Sequence, residues 1–260
     1  MEPRKQHVET SDGAIVSFWT SGDSGDTVVA LPAAGRSGRD FDVLVGALVR
    51  AGFNTAAVDL RGIGDSTGSL DDVTLHDLAA DVAKLIESLD WGPVHVVGHA
   101  FGNRVARCLA ADRPNLVRSV TLLAAGGLVP PEPQTLVAMV RSQQLDFPEP
   151  ERLEAIRTAF FGPSSDPTVW SDGWWLGATT AQVAAANATP TEDWWDGGRA
   201  PLLVIQGLDD KVAPPANGHA LRDQLGERVS VIDLAEAGHA LLVERPHEIA
   251  EAMITFIRKH

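Results

Sequence analysis

Three short segments hold residue types that together can shuttle a proton and attack a carbonyl carbon. The first is Gly98-His99-Ala100-Phe101-Gly102. It has the frame Gly-x-Ser-x-Gly, with alanine at the centre. Glycines in that frame permit a sharp strand-to-helix bend, which thrusts the central side chain into a site. The same bend aims the next backbone N–H at a developing oxyanion. The second segment, Gly207-Leu208-Asp209-Asp210-Lys211-Val212-Ala213-Pro214, supplies adjacent carboxylates. The third, Ala237-Gly238-His239, supplies an imidazole. Each follows a short apolar run. In an open parallel sheet, ligands sit beyond the carboxyl ends of such strands.

The elements that must position these segments are readable from hydrophobic patterning. Thr27–Leu31, Phe53–Val58, Val94–Gly98, Val117–Ala124, Leu202–Gln206 and Val229–Leu234 are near-continuous apolar runs rich in β-branched residues. That pattern predicts strands covered on both faces. Between them lie segments of helical period: Asp40–Ala51, Thr74–Leu89, Ala100–Ala111, Asn217–Gly226 and His247–Arg258. Alternation of this kind predicts an α/β fold with a mostly parallel twisted sheet and helices on both faces. Two earlier runs, His7–Glu9 and Ala14–Thr20, flank Ser11-Asp12-Gly13 and predict an antiparallel hairpin at the sheet edge. Residues 128–198 break the alternation. This stretch has no strand pattern and holds five of the seven tryptophans, namely Trp170, Trp174, Trp175, Trp194 and Trp195. It reads as a helical cap inserted into a core made of residues 1–127 and 199–260, because long interruptions of a compact domain are usually functional.

Composition narrows the function classes. A chain of 260 residues, 44% hydrophobic and 22% charged, is globular rather than disordered. With 21 Lys and Arg against 35 Asp and Glu, the net charge of −14 repels phosphate backbones, so no nucleic-acid partner is expected. No apolar run approaches the ~20 residues that span a bilayer, so no membrane association is expected. The polar start Met1–Thr10 has no apolar core of a secretory signal, and a cytoplasmic location is expected. The single cysteine, Cys108, excludes an internal disulfide, and the eight histidines show no paired metal spacing. Gly62–Gly68 is not a phosphate loop, and no dinucleotide fingerprint follows a strand. The expected ligand is a small molecule, with no metal and no organic cofactor.

The order bend, acid, histidine resembles that of the α/β-hydrolases, and the likeness to their small, cap-bearing type runs over essentially the whole chain. Leu31-Pro32-Ala33-Ala34-Gly35 and Asp59-Leu60-Arg61-Gly62-Ile63-Gly64-Asp65-Ser66 also match, although the family often carries His-Gly where Pro32 and Ala33 stand. The resemblance implies a catalytic triad on a nucleophile elbow. Its acid is Asp210 rather than Asp209, from the spacing to Gly207 and Pro214. Its general base is His239, and its oxyanion hole is formed by the backbone N–H groups of Ala34 and Phe101.

Ala100 stands where that triad has its nucleophile, and alanine has none to activate. Three readings follow from the sequence. A serine was replaced at position 100; or alanine is natural and His239 with Asp210 drives water attack or a lyase-like proton transfer; or the scaffold binds a ligand without chemistry. Within the family resemblance, the chain's lack of tyrosine disfavours epoxide hydrolysis, and Phe101 stands where dehalogenases place a halide-binding tryptophan. Ester, lactone, thioester or carbon–carbon bond hydrolysis is therefore expected. Phe101, Trp174 and Trp175 are candidate substrate-binding residues, although tryptophans are as readily spent on packing. Arg36 and Arg39 either meet an acidic substrate group or sit solvated at the surface. Asn103 and Cys108 read as packing within the elbow helix, and His99 as packing beneath the sheet edge.

Overall fold

The computed structural model describes residues 2–260; Met1, the first residue of the polar start, lies outside them. The strands are β1 (Arg4–Glu9), β2 (Ile15–Ser21), β3 (Thr27–Leu31), β4 (Asn54–Val58), β5 (Val94–His99), β6 (Val117–Leu123), β7 (Leu202–Gly207) and β8 (Val229–Leu234). They form one eight-stranded sheet in the order β1-β2-β4-β3-β5-β6-β7-β8. β1 and β2 pair antiparallel, β2 pairs antiparallel with β4, and all remaining pairs are parallel. The edge strand begins at Arg4, earlier than its hydrophobic pattern indicates. Its residues 4–7 are exposed, so burial imposes no period on them.

Alternation along the inner strands sends successive side chains to opposite faces. Val29 and Leu31 of β3 join one core cluster, and Val28 and Ala30 join the other. The first face is covered by α2 (Leu75–Leu89), α3 (Phe101–Asp112) and, through Leu221, a later helix at Ala216–Leu225. The second is covered by α1 (Asp42–Arg50) and the C-terminal helix Pro246–Ile257, which bring in Leu44, Leu48, Ile249 and Met253. Thr74 caps α2 with a reciprocal box. Its hydroxyl accepts from the Asp77 N–H, and the Asp77 carboxylate accepts from the Thr74 N–H.

Between β6 and β7 the chain forms α4 (Pro133–Ser142), α5 (Glu149–Phe160) and α6 (Leu176–Ala188). α4 and α5 share a separate cluster built on Ile156, Phe160, Phe161 and Trp170, which reaches the body at Ala240, whereas Ala186 of α6 packs on the first core cluster. The five tryptophans divide between environments. Trp194 and Trp195 are buried in the first core cluster, where both rings flank the fully buried Arg107 guanidinium at 4.5 and 5.0 Å. Arg107 donates to the carbonyls of Asn103, Trp195 and Gly126 and to Asn103 Oδ1. After β7 come α7 (Ala216–Leu225), β8, α8 (Leu241–Glu244) and α9 (Pro246–Ile257). No helix among the described residues is long and apolar enough to cross a membrane.

Candidate active site

The bend between β5 and α3 is strained at Ala100, whose φ is 49° and ψ is −108°. A side chain in that region costs ~1–3 kcal/mol and persists only where its surroundings over-determine it. Here they do. The Ala100 N–H donates to the Leu123 carbonyl at 2.9 Å, pinning the bend to β6. A Cβ on Gly98 would lie 2.4 Å from the backbone of Gly102 and Asn103. One on Gly102 would lie 2.1 Å from the Leu31 carbonyl oxygen. Both flanking glycines are thus required by the close approach of α3 to β5 and to the end of β3. Asn103 is fully buried and donates to the Leu123 and Ala124 carbonyls at 3.4 and 3.1 Å, which ties the first turn of α3 to β6.

Asp210 follows β7 and is buried, whereas Asp209 beside it is exposed. Asp210 Oδ1 accepts from the backbone N–H groups of Val212 and Ala213, both at 2.8 Å. His239 Nδ1 lies 2.9 Å from Oδ2 and 3.1 Å from Oδ1 of the same carboxylate. An ionised carboxylate only accepts, so Nδ1 carries the hydrogen and Nε2 is left with its lone pair. The loop bearing His239 is held from several sides. The Glu244 carboxylate accepts from the N–H groups of Gly238 and Gly162 at 2.8 and 2.7 Å. The Ala240 N–H donates to the Phe160 carbonyl at 2.8 Å. His99 Nε2–H donates to the His239 carbonyl at 2.7 Å. Burial, with His239 close by, pushes the His99 pKa down to about 3, so its ring is neutral and structural.

Ala100, His239, Ala34 and Phe101 line one cavity of about 330 Å3, together with Phe160, Trp170 and Trp174. The N–H groups of Ala34 and Phe101 have no acceptor among the described residues. The loop carrying Ala34 is fastened to the helical segment. The Gly35 N–H donates to Gln182 Oε1 at 2.8 Å, and the Gly35 carbonyl accepts from the Trp175 N–H at 3.0 Å. Arg36 is buried rather than solvated. It pairs with Asp40 and Asp172, donates to the Gly173 carbonyl, and lies 5.0 and 5.7 Å from the ring centres of Trp170 and Trp174. Arg39 stays half-exposed, paired with Asp42. Of the two tryptophans expected against substrate, Trp174 is in the cavity wall. Trp175 is not: the residue is 41% exposed, and its contact with the Ala34 loop is the backbone bond to Gly35 at the start of α6.

Sequence spacing did not reveal His99, Glu244 or Gln182 as supports, since each acts through a partner distant in the chain. It also missed a grouping of His76, Cys108 and Asp112, whose ligand-type atoms lie within 4.8 Å of one another. Packing of α2 on α3 assembles it, and none of the three lines the cavity. His76 Nδ1 is bonded to Asp112 at 2.8 Å, which raises its pKa, while burial raises that of the Cys108 thiol.

Residues 28–252 match the model of the Alpha/beta hydrolase family. A protein of Mycobacterium tuberculosis with the provisional name non-heme bromoperoxidase BpoC is 30% identical over 249 residues, covering 90% of this chain and 94% of its own. The chain belongs to the alpha/beta hydrolase family. Its members here are enzymes, among them a non-heme chloroperoxidase of Streptomyces lividans, 28% identical over 282 residues and covering 96% and 99% of the two chains. The crystal structure of the Mycobacterium tuberculosis protein superimposes with a TM-score of 0.78 at 27% identity, over 94% of this chain and 96% of that one. An esterase from Exiguobacterium antarcticum shares the fold with a TM-score of 0.82 at 17% identity, over 98% and 100%.

Proposed function

We propose that this alpha/beta hydrolase is a cofactor-independent enzyme acting on a small, partly apolar carbonyl compound: an ester, lactone, thioester or activated carbon–carbon bond. Residues 128–198 act as its cap. The observation that carries this reading is the buried His239–Asp210 pair, whose imidazole lines a mainly apolar cavity, beside a strained bend whose central residue has no nucleophile. His239 Nε2 takes a proton from water, and the resulting hydroxide adds to the carbonyl carbon. The oxyanion meets the N–H groups of Ala34 and Phe101. Collapse expels the leaving group, which recovers the proton from the imidazolium, while Asp210 stabilises that cation and fixes its tautomer. With a serine at position 100, the same parts would run through an acyl-enzyme.

Ala100→Ser tests the arrangement. The variant is expected to react covalently with a fluorophosphonate probe, and neither the alanine form nor Ala100→Ser combined with His239→Ala should do so. In a panel of aryl esters, lactones and thioesters, His239→Ala is expected to abolish the turnover of the alanine form. Turnover that survives His239→Ala refutes the water-attack mechanism, and a folded, unlabelled Ala100→Ser refutes the site. Saturable binding without product in either form would instead favour a ligand-binding protein on this scaffold.

A further inference from the structure

Arg104 differs from the other arginines that are buried or half-buried in what its guanidinium group touches. Arg36 meets Asp40 and Asp172, and Arg61 meets Asp81 and Asp12. Arg107 is surrounded by carbonyl oxygens, and Arg152 donates to the Ser171 carbonyl. Arg104 has no carboxylate or carbonyl partner among the described residues. Burial alone acts on its pKa, lowering it. Its guanidinium carbon lies 5.3 Å from the ring centre of Trp194, a ring it shares with Arg107, whose pKa its like charge helps to lower.

Its location gives this isolation a meaning. Arg104 lines the same cavity as Ala100 and His239, and no acidic residue lines that cavity. It lies one turn after Ala100 on α3. Residues four apart share a helix face, and helical side chains lean toward the N-terminus, so the stem is directed back along the face that carries the bend. Arg104 is half-buried in the cavity wall with no counter-charge, and its forked donors match a carboxylate two bonds at a time. The remaining wall is mainly apolar, with Leu136, Met139, Trp174 and Val183, and its two amides, Gln143 and Asn187, carry no charge. The negative net charge of the chain supplies no anion here, because its acidic residues lie elsewhere.

We propose that Arg104 is a carboxylate-binding residue, and that the substrate is an organic acid with an apolar body and a reactive carbonyl. This rests on the proposed function only in taking the cavity as the substrate site. The acid end pairs with Arg104 while the reacting carbonyl lies between His239 and the N–H groups of Ala34 and Phe101.

The test is binding, so it needs no known reaction. 4-Phenylbutyrate and its uncharged amide, 4-phenylbutanamide, are titrated by calorimetry and by quenching of tryptophan fluorescence. The acid is expected to bind about tenfold or more tightly than the amide, as a charge-assisted pair provides. Arg104→Gln should bring the two within about twofold of each other. Arg104→Lys keeps the charge, loses the fork, and should fall between; it also covers the case in which the glutamine variant fails to fold. His239→Gln should keep the acid preference even though turnover is lost, so failure of the mechanism and failure of the subsite give different results. Equal affinity for acid and amide, absence of saturable acid binding, or a preference that survives Arg104→Gln overturns the proposal. Inorganic phosphate competing as well as the organic acid overturns the carboxylate assignment.

Discussion

Replacing Asp210 by asparagine removes one charge and almost no volume, yet the surroundings dictate which way the amide must face. The oxygen facing Val212 and Ala213 accepts two backbone N–H groups at 2.8 Å each. If the amide nitrogen were turned toward them, two buried donors would lose their acceptor, at ~1–3 kcal/mol apiece. The total of ~2–6 kcal/mol holds the oxygen in place, since even 2 kcal/mol is more than a tenfold preference. The amide nitrogen must then face His239 Nδ1, the atom now 2.9 Å from Oδ2. The retained oxygen is the farther acceptor, 3.1 Å from Nδ1, and two donors are unfavourable at 2.9 Å, so the imidazole is expected to move its hydrogen to Nε2. The lone pair that would accept a proton in the cavity is thereby lost. Long-range nitrogen–carbon correlation spectra of histidine-labelled protein, recorded where the ring is neutral, read this directly. Nδ1–H is expected in the parent and Nε2–H in Asp210→Asn, with any turnover down on the order of 10⁴-fold. An Asp210→Asn protein that retains Nδ1–H would refute the reasoning, because the nearer amide position would then not dictate the tautomer, whether Nδ1 donates to the retained oxygen or the amide has turned.

Two further outcomes follow from burial. His95 is buried with Nδ1 on Ser119 Oγ at 2.8 Å, and burial lowers its pKa from 6.5 to about 4. The unfolded chain therefore binds the proton first, and stability is lost as pH falls from ~6.5 toward ~4; at pH ~5 the loss from His95 is about 2 kcal/mol, and His99 acts in the same direction. Urea unfolding across that range checks this, and a stability that rises on acidification contradicts it. Gly102→Ala places a methyl 2.1 Å from the Leu31 carbonyl oxygen and 2.6 Å from that of Pro32, both backbone. Although alanine favours a helix by up to ~1 kcal/mol, the crowding should dominate, with a net loss of about 2 kcal/mol in thermal or urea unfolding; a more stable variant would show that the approach of α3 to β3 is looser than described.

The strands were legible because the sheet is covered twice. Val28, Val29, Ala30 and Leu31 are all buried, and only a strand between two helical layers needs such a run. β1 was half legible, since an edge strand with exposed Arg4, Lys5 and Gln6 has no face to keep apolar. In the candidate site, chain order picked out Ala100, Asp210 and His239, which the fold brings to one cavity and one hydrogen-bonded pair. It could not say what each tryptophan does. Trp174, Trp175 and Trp194 share one side chain but face a cavity, solvent and a buried arginine respectively. Such differences arise where separate segments meet, as do the roles of His99, Glu244 and Gln182. The isolation of Arg104 is likewise a statement about neighbours that a linear string does not contain.

Gly35 offers both its backbone groups to the helical segment, the N–H to Gln182 and the carbonyl to Trp175, while the Thr179 hydroxyl sits 1.9 Å from where a Cβ would stand. The floor of the cavity and its roof therefore share a hinge pin. If the Ala34 amide takes the oxyanion as proposed, lifting α6 to admit a molecule would slacken it, and an open chamber would be a disarmed one. On that reading, the site would stabilise negative charge only when shut.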